Sequence, residues 1–532
     1  MTLPTRYLAL AASACVLTAC STPVPQVTKP QDVPATFTGP VAPGSSLWPD
    51  PNWWQAFGSN EMSGLVTAAQ IDNLDIAVAM ANVLQATANR DIARAALFPD
   101  IGLSGSGQRQ QTPTQIFGGQ TFPGSRQNSF NAELTGSYAL DIWGLAQSNL
   151  RAAQESLKSS RFAQQEVALT TTASVADTYL DILALREEIA TIEQNIQAAD
   201  RILTITRAQV TNGVASQLDL AQQEATVEGQ IAALPPLREQ EREAIFSLAI
   251  LLGRPPEGFD VTAKNLSTVK SPAVVPGLPS ELIERRPDIA EAEANLASAH
   301  ASVDAARAAF FPQISLSGAY GVGSPVFDTL FTASAKEWTI GANLLQTIFD
   351  GGKLIGESDL AKAQQQGLIA TYRKTVLTAF QGVETSLGQV SNFGEEQAAL
   401  EKEVAASANA FRISELQYRE GIVALLTVLQ AQQTLFTAEN QLIQVHLSHL
   451  QAEVGLYQSL GGGWVEAADE ATQKTTTNGQ VSFTTSPPGT ANPTTTMPAQ
   501  SPANQPAGPS PTTPAPQQPA PAATTPMQPT KG

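Results

Sequence analysis

The stretch AALFPDIGLSG, from Ala95 to Gly105, recurs as AAFFPQISLSG from Ala308 to Gly318, with eight of eleven positions identical at an offset of 213 residues. In both copies an Ala-rich segment ends at Phe-Pro, and apolar and small or polar residues alternate after it. Proline disfavours helix at the residue before it, and a period of two indicates a strand. The stretch therefore predicts a corner at Pro99, and again at Pro312, where a helix gives way to a strand.

The rest of the chain is also written twice. After the quoted phrase the offset falls to 208 residues, so that Gly144 corresponds to Gly352 and Gly213 to Gly421. The five-residue change lies between Pro99 and Gly144, where a loop tolerates it. We divide the chain into a first repeat over 61–279 and a second over 280–463.

Each repeat is predicted to contain the same elements in the same order. These are an Ala-rich helix (Leu65–Leu97 and Glu281–Phe310), a β-hairpin (about 98–142 and 311–349), a long helix (about 145–212 and 353–420) and a returning helix (about 214–252 and 422–460). Gly213 and Gly421 are expected to close the long helices, because glycine fits the left-handed position there. Pro235 and Pro236 are expected to break the first returning helix.

The long helices carry the most unusual pattern. Residues 145–212 contain neither Gly nor Pro, and one helix of that length would reach about 100 Å. Apolar residues recur every seven positions from Val175 to Val210, and the second copy keeps this spacing through Phe411 and Tyr418 but holds five glycines. The heptad pattern indicates that the long helices pack side by side.

The four predicted strands each have one apolar face. Such strands can enter lipid only in a closed barrel, because an open edge leaves backbone groups unpaired, and four strands are too few to close one. If the strands enter lipid, two copies would supply eight strands and three copies twelve. The alternative is a soluble β layer beside a separate coiled coil.

The two ends of the chain differ in composition from the repeats. Arg6, an apolar run and the ending LTAC at Leu17–Cys20 indicate a secretory signal peptide over 1–19. The LTAC ending resembles a bacterial lipobox, which makes Cys20 the expected lipidation site. Residues 20–60 are expected to form an extended lipidated arm, and 468–532, rich in Pro, Thr, Ala and Gln, a disordered tail.

Composition and motifs argue against several classes of protein. The net charge of −18 argues against a nucleic-acid partner, because phosphate binding needs a basic surface. His446 and His449 are three residues apart on a helix but have no third ligand nearby, and GGKL at Gly351 lacks the remaining residues of a phosphate-binding loop. We find no nucleophile with a paired base. The sequence predicts no enzyme, no cofactor and no metal site.

Several phrases in the same order resemble one family over about 48–463. They are WPDPNWWQAFG, FPDIGLSGSG, LDIWG, NGVASQLDL, ELIERRPDIAEAEANL and IFDGGKL. The chain resembles the TolC-like outer-membrane efflux proteins, in their NodT-type lipoprotein branch. The resemblance implies a mostly helical α+β fold, in which a homotrimer builds a 12-stranded β-barrel in the outer membrane and a 12-helix α-barrel across the periplasm.

The resemblance also implies a function and its partners. The trimer would be a passive exit duct, lipid-anchored in the outer membrane. Gly213 and Gly421 would lie at the periplasmic tips and meet an adaptor protein, itself joined to an inner-membrane pump, which we expect to be proton-driven. Other classes remain open: a duct for type I protein secretion, and a non-conducting periplasmic coiled-coil lipoprotein.

Relatives of this kind carry a gate of acidic residues beside the second tip, and here the chain departs from the family. Thr427 and Gln430 occupy the places where relatives carry Asp. Asp219, at the equivalent point of the first repeat, is the candidate for a ring of three carboxylates, with capping of a helix as the alternative. Tyr418 matches a gate-linking tyrosine, with a place in the heptad core as the alternative.

Overall fold

The computed structural model describes residues 36–39, 48–272 and 279–464. The expected signal peptide (1–19), the expected lipidation site Cys20 and the expected tail (468–532) lie outside the described residues. So does much of the expected arm (20–60).

The first repeat follows a short 3-10 helix at Trp53–Phe57. Its elements are α1 (Asn60–Asp72), α2 (Leu74–Ala95), β1 (Asp100–Gln111), β2 (Gln115–Phe117), β3 (Gln120–Phe122), β4 (Arg126–Leu140), α3 (Leu145–Thr211) and α4 (Gln217–Leu251). β2 and β3 form a small hairpin of their own, turned by Gly118 and Gly119. This hairpin lies in the longer of the two loops between strands.

The second repeat has the same order without the extra hairpin. Its elements are α5 (Pro279–Leu282), α6 (Pro287–Ala308), β5 (Gln313–Ser324), β6 (Lys336–Leu345), α7 (Lys353–Arg419) and α8 (Leu425–Ser459). α3 and α7 each run for 67 residues without interruption. The five glycines do not break α7, because each costs only about 1 kcal/mol in a helix interior and α8 packs along it.

The Ala-rich segment of each repeat is not one helix, contrary to expectation. In the first repeat α1 ends before Asn73, whose buried side chain accepts hydrogen bonds from the backbone N–H groups of Asp75 and Ile76 at 2.8 and 3.0 Å. Asn73 thus starts α2 as its N-cap. In the second repeat the break precedes Pro287, which is favoured at the first position of a helix.

The returning helix α4 is also continuous, so the expected break at Pro235 and Pro236 is wrong. Proline removes a backbone donor and frees the carbonyls of Ile231 and Ala232, four residues earlier. All four of these residues are exposed, so water can satisfy the freed carbonyls. Leu234 between them is buried, and this packing outweighs the local preference.

Strands β1, β4, β5 and β6 form one antiparallel sheet in the order β1-β4-β5-β6. Leu134 of β4 lies opposite Leu103 of β1 on one side and opposite Tyr320 of β5 on the other. Trp338 of β6 continues the row opposite Tyr320. Because directly paired residues share a face, the predicted apolar residues form one continuous and exposed apolar surface.

The opposite face of the sheet is polar or small. Glu133 of β4 lies opposite Ser104 of β1 and Gly321 of β5, and Thr135 lies opposite Gly102. β1 and β6 are the two edges of the sheet.

In the described part of the chain, no helix combines the length and the apolar composition that a membrane span requires.

The largest apolar core lies around the middle of α3, where both repeats meet. Trp53 stacks on Tyr457 of α8 with ring centroids 5.0 Å apart, and Phe57 packs beside them. Tyr179 and Leu183 of α3 are fully buried in the same cluster. The Trp-rich phrase before α1 therefore holds the start of the first repeat against the end of the second.

Each returning helix ends against the break that precedes α2 or α6. The side chain of Asn73 donates to the carbonyl of Leu251 at 2.8 Å. At the equivalent place Arg286 donates through Nη1 to the carbonyl of Ser459 at 2.6 Å. Different side chains therefore make the same contact in the two repeats, because the backbone geometry is the same.

This close approach predicts that Gly253→Ala and Gly461→Ala destabilise the fold. Both glycines have positive φ, and an added Cβ would lie 2.2 Å from the Asp72 carbonyl oxygen or 2.0 Å from that of Arg285. We expect each variant to lose about 3 kcal/mol or more from strain and overlap together. Thermal unfolding followed by circular dichroism measures the loss.

The matched control is Gly258→Ala, which has a φ of +77° but nothing within 4 Å of the added Cβ. It should lose only the conformational strain, about 1–2 kcal/mol. Equal losses in all three variants would show that close backbone packing at Gly253 and Gly461 contributes nothing.

Candidate functional site

The two turns that end the long helices have the same backbone. Gly213 and Gly421 have φ values of +72° and +73°. The N–H of the next residue, Val214 or Ile422, donates to the carbonyl five residues back at 2.8 Å in both turns. This is the hydrogen bond of a Schellman cap, and it needs the left-handed conformation that glycine adopts without strain. We call residues 212–216 tip 1 and residues 420–424 tip 2.

The helices that leave the tips begin differently. At tip 1, Ser216 Oγ accepts from the N–H of Asp219, and Asp219 Oδ2 accepts from the N–H and the hydroxyl of Ser216 at 2.9 and 2.8 Å. This is a capping box, so Asp219 stabilises the start of α4. At tip 2, α8 begins at Leu425, and the preceding residue, Ala424, provides no side-chain cap.

Tyr418 joins the end of α7 to the end of α3. Its side chain is only 4% exposed, and its hydroxyl lies 3.0 Å from Thr206 Oγ1. Gln209 Nε2 donates to the Tyr418 carbonyl at 3.0 Å. Burial raises the pKa of the Tyr418 hydroxyl, the bond to Thr206 opposes this, and the charge of Asp219 raises it further. Tyr418 and Asp219 therefore lie close enough for their charges to interact.

Thr427 and Gln430 lie in the first two turns of α8, with exposed side chains. Among the described hydrogen bonds, neither side chain meets Asp219 or Tyr418. Of the four candidate gate residues, Tyr418 and Asp219 thus interact electrostatically, and no hydrogen bond among the described residues joins Thr427 or Gln430 to either of them.

Sequence reasoning missed two features of the tips. Thr206 and Gln209 hold Tyr418 in place, although a Thr and a Gln on a long helix carry no distinctive signal. Val214 and Ile422 are 71% and 70% exposed, directly after the tip glycines. The second feature has a signal in the sequence, because a large apolar residue follows the glycine in both repeats.

The two corners lie where the sequence placed them. α2 ends at Ala95 and β1 begins directly after Pro99, while β5 begins directly after Pro312. Trp143 links the two repeats there: its Nε1 donates to the Pro312 carbonyl at 2.8 Å, and its ring stacks on Phe311 at 4.8 Å. The second corner is therefore fastened to the end of β4.

His300 and His449 each contact a glutamine side chain. His449 Nδ1 lies 3.0 Å from Gln397 Oε1, and His300 Nδ1 lies 3.1 Å from Gln365 Nε2. Burial lowers the pKa of His446 and of His449. Within the described residues, no three His, Cys, Asp or Glu side chains are grouped so that they could hold a metal ion.

Comparison with known proteins adds to this geometry. Residues 65–254 and 278–462 match the profile of the family described as outer membrane efflux protein. The pyoverdine export outer membrane protein OpmQ of Pseudomonas putida is 38% identical over 467 residues, which cover 87% of this chain and 98% of that protein. The antibiotic efflux pump outer membrane protein ArpC of Pseudomonas putida is 34% identical over 484 residues, 88% of this chain and 97% of that protein.

A solved structure has the same fold. The open state of the MtrE outer membrane channel of Neisseria gonorrhoeae superimposes with a TM-score of 0.74 at 28% identity, covering 83% of this chain and 98% of that one. The chain belongs to the outer membrane efflux protein family.

Proposed function

We propose that three copies of this chain form a passive exit duct in the outer membrane, for small molecules or ions delivered by an inner-membrane pump through a periplasmic adaptor. One observation carries the proposal: a four-stranded sheet with an apolar face, a polar face and two free edges is joined to helices of 67 residues. The sheet has the two faces of a water-filled barrel wall, and the helices are about 100 Å long.

The free edges support an oligomer. β1 and β6 present unpaired backbone groups, which cannot face lipid. Pairing β6 of one copy with β1 of the next closes the sheet, and three copies give twelve strands above twelve helices. The polar face, with Ser104 and Glu133, would then line the pore.

Relatives favour small molecules as cargo. OpmQ is named for pyoverdine export, ArpC for antibiotic efflux and TtgC for toluene efflux. The names favour efflux over protein secretion as the function of this chain. Energy for transport is assigned to the pump, which we expect to be proton-driven.

Purified full-length protein tests the duct directly. Light scattering in detergent should give a trimer, and planar bilayers should show discrete conductance steps. A monomer that does not conduct would favour the coiled-coil lipoprotein. Efflux of small molecules restored in a strain that lacks its own duct would exclude a role restricted to protein secretion.

The tips are the proposed contact with the adaptor. Gly213 and Gly421 turn the chain at one end of the helices, and the apolar side chains of Val214 and Ile422 project there without cover. Exposed apolar side chains at a defined position favour a protein partner. Both tips present the same pair of features, so both are expected to take part.

We predict that Val214→Ser with Ile422→Ser reduces drug efflux at least tenfold, because the adaptor loses its apolar contact, while conductance in planar bilayers stays unchanged. Minimum inhibitory concentrations measure efflux. The matched control is Val326→Ser. Val326 is an exposed apolar residue in the loop between β5 and β6 of the sheet, away from the tips. Normal efflux in the double variant would remove the tips from the adaptor contact.

We propose that Asp219, besides its place in the capping box, forms a cation-selective ring at the tip together with Asp219 of the other two copies. It is the acidic residue beside Tyr418, and Thr427 and Gln430 supply no charge. Three copies would place three carboxylates around the pore, and a ring of carboxylates favours cations.

Asp219→Asn should lower the preference for cations and shift the reversal potential in a KCl gradient towards zero. Asn retains an acceptor for the cap, so the helix start remains. Glu228→Asn, on the exposed side of α4, is the control for loss of charge elsewhere. An unaltered reversal potential in Asp219→Asn would exclude the ring.

Cys20 is proposed to carry the lipid anchor. Residues 36–39 of the arm lie against α7, where Glu384 accepts from the N–H groups of Thr38 and Gly39 at 2.7 and 2.8 Å. Glu384 is 31 residues from the start of α7 at Lys353, about 47 Å along the helix. The 18 residues from Cys20 to Thr38 can span up to about 60 Å, enough to return to the level of the membrane.

Cys20→Ser should abolish incorporation of radiolabelled palmitate, since serine lacks the thiol that receives lipid. Immunoblotting should still detect the protein, because the contacts of Glu384 do not depend on the anchor. Continued labelling of the variant would show that lipid is attached elsewhere.

A further inference from the structure

Only one of two equivalent helix contacts is made within the chain. α8 packs along α3, and at the offset of 208 residues their counterparts are α4 and α7. Among the described residues, α4 and α7 form no comparable contact. One face of each therefore lacks the neighbour that its counterpart has.

Apolar residues show the same difference. Val454 of α8 is fully buried, whereas its counterpart Phe246 on α4 is 39% exposed. Leu169 of α3 is partly covered beside Gly462, whereas its counterpart Leu377 on α7 is exposed. The exposed faces of α4 and α7 thus correspond to the faces of α8 and α3 that are covered within the chain.

Charged residues identify the register of the missing contact. His446 of α8 is half-buried, which lowers its pKa, and the negative charges of Glu187 on α3 and Glu401 on α7 oppose this. The counterpart of His446 is Arg238, and the counterpart of Glu401 is Glu193. Arg238 Nη2 lies 2.9 Å from Glu193 Oε1. The first repeat therefore contains the interaction that corresponds to His446 with Glu401 in the second repeat.

The interaction that would correspond to His446 with Glu187 is not found among the described residues. The counterpart of Glu187 is Glu395, which lies exposed on α7. By the same relation Arg238 should also face Glu395, but among the described residues α4 and α7 form no contact comparable with that of α8 and α3. A second copy can supply the partner.

We propose that α4 of one copy packs along α7 of the next, with Arg238 of the first copy binding Glu395 of the second. This inference rests on the proposed trimer and names the contact that assembles it. The contact is heterologous, since each copy offers α4 on one side and α7 on the other, and such contacts build a closed ring when the rotation allows.

A hydrogen bond between the copies follows from the same register. Gln451 Nε2 donates to Asp181 Oδ1 at 2.9 Å within the chain. Their counterparts are Glu243 on α4 and Gln389 on α7, both exposed. The amide and the carboxylate have changed places, so Gln389 of one copy can donate to Glu243 of the other.

The helices near the sheet extend the contact. Ser298 of α6 donates to the carbonyl of Ala152 on α3 at 2.9 Å. Their counterparts are Gln85 of α2, at offset 213, and Leu360 of α7. α2 leaves Val78 and Leu84 exposed, and α7 presents an open groove that includes Leu377. α2 of one copy therefore covers α7 of the next.

The test is a disulfide between copies. Full-length Gln85→Cys with Leu360→Cys should yield covalent oligomers up to the trimer on oxidation, seen on non-reducing gels and lost on reduction. The 2.9 Å hydrogen bond from Ser298 Oγ to the Ala152 carbonyl shows that the backbones approach closely at these positions, so cysteines at the equivalent positions of two copies should lie near each other. Wild-type protein, whose cysteines are Cys15 and Cys20, is the background control.

Two further pairs make the result specific. Ser298→Cys with Ala152→Cys should form a bond within one chain and give no covalent oligomer. Gln85→Cys with Leu377→Cys moves one thiol 17 residues along α7, about 25 Å, and should give none either. Equal oligomer formation by this shifted pair would overturn the register.

A charge reversal provides a test that does not depend on thiols. Glu395→Arg places two cations together and should lower the temperature at which the trimer dissociates, whereas Asp200→Arg on an exposed part of α3 should not. Light scattering separates the failures. A trimer without cross-links, or with unchanged stability in Glu395→Arg, overturns this contact alone, and a monomer overturns both the contact and the proposed trimer.

Discussion

A strand that enters lipid must have both of its edges paired, because the bilayer core offers no water to the backbone. One chain of this protein contributes four strands and leaves β1 and β6 as edges. The internal repeat supplies two hairpins, and each hairpin is followed by a long helix. The edges of β1 and β6 remain unpaired within one chain, so the sheet can enter a membrane only after it pairs with other copies.

The repeat carries a second consequence, because equivalent positions have different neighbours. Asn73 and Arg286 make the same contact to the end of a returning helix with different side chains. His446 and Arg238 occupy equivalent positions on α8 and α4, but His446 is half-buried within the chain and Arg238 is exposed. The two repeats have thus diverged according to whether their neighbour belongs to the same chain.

The tips show the same divergence on a smaller scale. Gly213 and Gly421 have nearly identical backbones, since both turns use the same Schellman cap. Ser216 and Asp219 cap the helix after tip 1, but Ala424 offers no cap after tip 2. A helix start without a cap leaves orphan N–H groups to water, so the start of α8 is held by its packing on α3 and α7.

Local patterns in the amino-acid sequence were enough to predict the order of the main strands and long helices, the corners at Pro99 and Pro312 and the apolar face of each strand. These follow from local rules: proline ends a helix, alternation marks a strand and a heptad marks a packed helix. Three features depend instead on packing in the folded chain: α4 continues through Pro235, Asn73 divides the Ala-rich segment, and Tyr418 forms a hydrogen bond with Thr206. Asn73 and Tyr418 bind partners 178 and 212 residues away in the chain. α4 packs along α3. These hydrogen bonds and this packing outweigh local preference.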